Sequence, residues 1–123
     1  MATWRSADFG ARLDEAVGAG LVAAAEVVRE HVSDRLAEGY TSGDFVTGAS
    51  AEAVAVSGPD PEDDGLVVRI GTPILYNLFW ELGHRNIFTR RYERVEVWVP
   101  LFLETTALQE QAFRAAFAER MAA

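Results

Sequence analysis

One helical pattern at the start of the chain sets the scale for everything after it. From about Ser6 to Glu38, Phe9, Leu13, Ala16, Val17, Ala24, Val27 and Val28 recur at three- and four-residue spacings. Val32 and Leu36 extend the same apolar face. Asp14, Glu15, Glu26, Arg29, Glu30 and Arg35 supply the polar side. Gly39 stands where a left-handed glycine would close the helix. Roughly thirty residues at ~1.5 Å each make a rod of about 45 Å, which is long for a chain of 123 residues. Gly18 and Gly20 weaken the middle of the rod by up to ~1 kcal/mol each relative to alanine. They mark either a bend or a place where another part of the chain comes close.

The remaining segments are shorter. Tyr40 to Ala49 is rich in Gly, Ser, Thr and Asp and reads as a loop. Ala51 to Ser57 is expected as a strand with Val54 and Val56 on one face, and Leu66 to Gly71 as its antiparallel partner. Between them Gly58-Pro59-Asp60-Pro61-Glu62-Asp63-Asp64-Gly65 reads as a long acidic tip without regular structure. Thr72-Pro73 is expected to open a short helix as cap and first residue. Ile74, Leu75, Leu78, Phe79 and Leu82 form its apolar face, with Tyr76 and Trp80 at the side and Gly83 at the end. Val95, Val97 and Val99 alternate with Glu96 and Trp98, so a third strand is expected within Asn86–Val99 and Pro100 should break it. A last helix is expected from about Leu103 to Met121. The order α-β-β-α-β-α predicts one α+β domain spanning residues 1–123, with helices laid on a small antiparallel sheet made of a β-hairpin and a third strand.

Composition narrows the function. Eleven arginines, no lysine and 19 acidic residues give a net charge of −8, and half the residues are hydrophobic. The apolar content supports a real core. Without cysteine the chain is no disulfide scaffold, thiolate-ligated metal protein or thiol enzyme. A net acidic surface disfavours free-standing nucleic-acid binding. Met1 to Gly10 carries Asp8 and no apolar core, so no secretory signal is expected. The apolar run near Leu21–Val28 contains Glu26 and is far short of the ~20 residues of a membrane span. No phosphate-cradling loop or nucleophile motif is present, and no cofactor or metal is expected.

A series of motifs follows the first helix. Thr47-Gly48-Ala49-Ser50 is followed by Val68-Arg69-Ile70-Gly71-Thr72, then Tyr76 and Trp80-Glu81-Leu82-Gly83, then Pro100-Leu101-Phe102-Leu103 leading into the last helix. In order and spacing this resembles the small head–tail joining proteins of long-tailed bacteriophages, also described as neck, tail-completion or tail-component proteins. That family has a TG-x-L-x-x-S stretch after the first helix, GT-x-x-x-YA-x-x-x-E-x-G after the hairpin and P-F-L-x-P-A at the last helix. The chain departs from the pattern at Asn77, His84, Thr105 and Thr106, and around Ala49. The resemblance implies a structural virion protein without catalytic residues. It would form a ring of six or twelve copies between the head-completion layer and the tail, around a channel for DNA. Stopper, tail-terminator and tail-tube proteins would be its neighbours, and the host cytoplasm its place of assembly.

On that reading Tyr40, Phe45, Tyr76, Trp80, Glu81, Arg85, Phe88, Arg90, Arg91, Tyr92, Arg94 and Trp98 are candidate subunit or partner contacts. Trp4, Tyr40, Phe45, Phe88 and Trp98 exceed the apolar content one small core needs. The Arg85–Arg94 stretch interleaves arginine with Phe88 and Tyr92, a mixture that suits protein docking first and passing DNA second. Glu81 is either one half of an ion pair with an arginine of this or a neighbouring subunit, fixing ring register, or an exposed residue on the polar side of a short helix. Asp60, Glu62, Asp63 and Asp64 lack the calcium-loop pattern and are expected as a solvated tip or, in a ring, as channel-facing charge. His31 reads as a polar helix residue. Two further readings compete. A small enzyme or toxin-like protein would use Glu81 and His84, three residues apart, with the arginine-rich loop holding an anion. A cytoplasmic regulatory module would use that loop to hold a partner.

Overall fold

The structure is a computed structural model that describes residues 6–40, 48–85 and 90–122. The first helix, α1, spans Ser6–Ala37. It ends as its sequence demands. Gly39 takes φ 80°, its N–H reaches Leu36 O at 3.1 Å, and Arg35 Nη1 donates to Gly39 O. Ala16, Ala25, Val28, Val32 and Leu36 form the buried stripe.

The two helix glycines are close-approach points. A Cβ on Gly20 would stand 2.6 Å from the Phe113 ring, and one on Gly18 would stand 3.0 Å from Pro59 Cγ. The last helix and the hairpin each seat one side chain in a notch that only glycine leaves open.

The expected strand start at Ala51 is corrected. Ala49–Glu52 is a single helical turn, α2, tied to α1 by Ser33 Oγ donating to Ala51 O at 2.7 Å. The hairpin follows as β1 (Ala55–Glu62) and β2 (Gly65–Gly71). The acidic tip is also corrected, because β1 continues through it and the connection is only Asp63-Asp64. A bulge between Ser57 and Asp60 absorbs Pro59, which has no N–H to offer the ladder. Gly58 at φ 104° makes this possible, since a Cβ there would lie 2.7 Å from Val67 O.

Helix α3 spans Leu75–Leu82 and begins two residues later than the Thr-Pro pair suggests. Thr72 Oγ1 instead accepts the Ile74 N–H at 3.2 Å, making a turn that precedes the helix. The third extended segment does not join the hairpin. β3 (His84–Arg85) and β4 (Tyr92–Glu93) form an antiparallel ribbon of their own. The valine alternation of residues 95–99 is no strand, because helix α4 starts at Trp98 and runs to Glu104. Pro100 lies in the first turn of α4, where its missing N–H costs no helical bond. The final helix, α5, is Thr106–Ala122, offset from α4 at Thr105. The Thr105 hydroxyl donates to Leu101 O at 2.7 Å and receives Gln109 Nε2 at 2.9 Å.

The chain is thus α+β, with a long N-terminal helix, an antiparallel hairpin, a second short two-stranded ribbon, short middle helices and a C-terminal helix. α1 touches α2, both hairpin strands, α4 and α5. The core joins Val28, Val32, Leu36 and Tyr40 to Val54, Trp80 and Val97. α5 contributes no fully buried residue. Among the described residues no helix is long and apolar enough to cross a membrane.

The notches make opposite demands at two glycines. Gly20→Ala should destabilise the chain by about 1–3 kcal/mol through overpacking against Phe113, less the gain in helix propensity. Gly10→Ala, with nothing within 4 Å of its new Cβ, should stabilise it by up to ~1 kcal/mol. Urea denaturation of the two variants would check both signs.

Candidate functional site

The end of α3 is clasped by the segment that follows it. Trp80 turns inward and stacks on Tyr40, with ring centroids 5.3 Å apart and planes 12° from parallel. The Tyr40 hydroxyl donates to Asn77 Oδ1 at 2.6 Å, and Asn77 Nδ2 donates to Thr72 Oγ1 at 3.3 Å. Asn77 is only 1% exposed, so these bonds satisfy a polar group in the core. On the neighbouring position Glu81 Oε1 accepts the Trp98 N–H at 2.8 Å and also the Val97 N–H. These amides open α4, which has no side-chain cap of its own from Val97. Bonds to the main-chain carbonyls of α3 complete the clasp. Val95 N–H reaches Trp80 O at 3.2 Å, Arg94 Nε reaches Glu81 O at 2.8 Å, and the Tyr92 hydroxyl reaches Leu82 O at 2.5 Å. Gly83, at φ 89°, leaves room for the Tyr92 ring.

Three motifs read separately in the sequence therefore meet here. Gly71-Thr72 supports the buried Asn77, Trp80–Gly83 forms the clasp, and the glutamate of that motif starts the helix that carries Pro100–Leu103. Asn77 and Thr72 were not singled out as site residues in the sequence. The available signal is an asparagine inside an otherwise apolar helical run, a position that calls for a satisfied core group.

Several candidate contacts change character. Tyr40 and Trp80 are buried within the chain and offer no contact surface. Trp98 is half-buried and packs against the core. Glu81 is half-buried rather than exposed, its carboxylate holds two amides, and among the described residues it pairs with no arginine of its own chain. His84 lies beyond Gly83 in β3 and shares no helix face with Glu81. His31 Nδ1 lies 2.8 Å from Val27 O in its own helix. Arg85, Arg90, Arg91 and Tyr92 are exposed, while Arg94 pairs with Glu96 at 2.5 Å. Trp4, Phe45 and Phe88, and the side chains of Tyr76 and His84, lie outside the described residues.

The acidic stretch is divided by Arg69. Glu62 forms a close ion pair with it and Asp60 Oδ2 lies 3.7 Å away, leaving Asp63 and Asp64 at the exposed turn. The hydrogen bond Arg69 donates to Glu62, then the charge of that carboxylate, raises the Arg69 guanidinium above its ordinary pKa. The side-chain hydrogen bond to Glu26 does the same for Arg29. Raised cations lose their stabilising effect only as pH climbs through the folded value, so both pairs persist at neutral pH. Among the described residues no group of three or more His, Cys, Asp or Glu side chains is placed to hold a metal ion.

Two surface features surround the clasp. A cavity of roughly 410 Å³ opens beside it, walled by Ile70, Pro73, Ile74 and Trp98, with Thr72, Asn77 and Glu81 as its polar lining. Beyond it α4 exposes apolar side chains, with Val99 60% and Leu103 64% accessible and Phe102 also exposed. Leu82, Tyr92 and Leu108 are exposed as well.

Comparison with protein-family models, curated proteins and solved structures finds no match to the chain. Glu81→Ala should destabilise the fold by about 1–3 kcal/mol, because two helix-opening amides lose their acceptor. Glu81→Gln keeps an acceptor oxygen and should cost much less. Denaturation midpoints of the two variants would separate the hydrogen-bonding role from the charge.

Proposed function

We propose that the chain is a structural subunit of a phage head–tail connector, of the neck or tail-completion kind, acting by assembly rather than catalysis. The observation that carries this reading is the apolar face of α4. Val99, Phe102 and Leu103 are exposed on a helix whose position is dictated by Glu81. Exposed apolar area rimmed by polar groups is characteristic of protein contact surfaces. The same helix holds Pro100–Leu103, one of the motifs that resemble the connector family. In a ring, each copy would present α4 to a neighbouring subunit or an adjacent layer, through heterologous contacts that close on themselves.

The net charge suits such a role. Six or twelve copies would surround the DNA path with strongly negative charge, which repels phosphate and lets DNA pass without sticking. The hairpin, projecting to Asp63-Asp64, is the natural carrier of that charge toward a channel. The competing enzyme reading draws no support from Glu81, whose Oε1 already accepts two amide hydrogens, or from His84, which lies off the helix.

The test is made on particles from the genome that encodes the chain. Cryo-electron microscopy should find it as a ring at the head–tail junction, with Asp60–Asp64 nearer the axis than Arg85–Arg94. Deleting its gene should leave filled heads and tails unjoined. Normal joined particles without the chain would overturn the assignment, and a channel lined by Arg85–Arg94 would overturn the proposed role of the acidic turn.

A further inference from the structure

Among the described residues most arginines are engaged, Arg91 included. Arg29, Arg69, Arg94, Arg114 and Arg120 each pair with a carboxylate. Arg12 donates to Arg120 O at 3.3 Å and Arg35 to Gly39 O. Among the described residues Arg85 and Arg90 are exposed and form no ion pair. Both lie on the ribbon segment after Gly83. Arg85 is four residues from Glu81 in sequence, yet it does not pair with that carboxylate within its own chain.

The cavity beside the clasp has the complementary chemistry. Its volume falls in the range of small-ligand clefts. Its walls are apolar at Ile70, Pro73 and Trp98, and its polar lining includes the Glu81 carboxylate and the buried Asn77. Glu81 Oε1 is occupied by the Val97 and Trp98 amides. A carboxylate accepts about four hydrogen bonds, so Oε2 keeps capacity for an incoming donor. The two amides already hold the side chain in place, so little rotamer freedom is lost when it binds. An arginine fits this combination of surfaces. Its methylene stem covers apolar wall, its planar head stacks on an indole, and its N–H groups reach a carboxylate.

The geometry points to a guanidinium-binding pocket that receives Arg85 or Arg90 from a second copy of this chain. The inference rests on the connector reading, and it supplies the contact that sets subunit register. The donor ribbon and the acceptor pocket are different patches, so the contact is head to tail. Such a contact propagates around a ring and does not close as a two-fold dimer. It also relates the arginine-rich segment to the net acidic charge, because the unmatched cations of one copy meet an anionic pocket on the next.

The experiment uses the full chain throughout. Isotope-labelled wild-type protein is titrated to millimolar concentration with unlabelled wild-type protein, following the Asn77 side-chain amide and Trp98 indole N–H signals by NMR. Both signals should shift. They should stay still when the added chain carries Arg85→Gln and Arg90→Gln, exposed changes that leave the fold intact. Labelled Glu81→Gln, which retains the amide acceptor, should bind wild-type chain about ten-fold more weakly. Shifts that are absent up to millimolar chain, or that are unchanged by the arginine or Glu81 substitutions, would overturn the pocket. The connector reading fails separately, if the chain is missing from the head–tail junction of particles whatever the titration shows.

Discussion

Everything in this chain leans on one helix. α1 is too long, and too weakened at Gly18 and Gly20, to be explained by helix propensity, since most helical stability in proteins comes from packing an amphipathic face. Its two halves pack in different ways. The N-terminal half presents small residues, and Pro59 and Phe113 enter the glycine notches, so the hairpin and α5 approach closely. The C-terminal half presents Val28, Val32 and Leu36, which meet Tyr40, Val54, Trp80 and Val97 in the core. Small side chains permit backbone proximity, and larger ones supply buried area.

The second organising element is a single carboxylate. Glu81 leaves one helix and opens the next, so the direction of α4 follows from the end of α3. A charged acceptor on two orphan amides is among the stronger hydrogen-bonding arrangements, and here it orders the segment from Tyr92 to Trp98 around Gly83. The result is an apolar helix face held outward beside a small pocket. That pairing connects the interior of the fold to its proposed work, because a surface for assembly is useful only when its position is rigid.

The α+β class, the extent and end of α1, the hairpin pairing and the Val28–Val32–Leu36 part of the buried stripe were legible in the sequence, since each rests on periodicity or on a glycine with a local conformational reason, whereas Phe9, placed on the same face by its spacing, is exposed. The hairpin tip was not legible. Pro59 and Pro61 argue against a strand, and only the cross-strand register with a bulge at Gly58 shows how the ladder continues past them. The valine alternation of residues 95–99 misled for a similar reason. A strand pattern has no force without a partner strand, and Glu81 gave the Val97 and Trp98 amides a different acceptor. Tyr40 read as a surplus aromatic and Trp80 as a subunit contact, because the stack between them joins residues 40 positions apart.

Sequence by itself therefore determined what depends on neighbours along the chain: the long helix, its cap, the hairpin, the acidic excess and the order of motifs. Tertiary structure alone decided what depends on distant partners. It made Glu81 a helix cap, placed Asn77 in a buried hydrogen-bonded pair with Tyr40, moved two aromatics into the core and turned Val99, Phe102 and Leu103 outward. Local propensity acts over a few bonds, whereas the fate of a polar or aromatic side chain is set by which acceptor, ring or solvent it meets once the chain has closed.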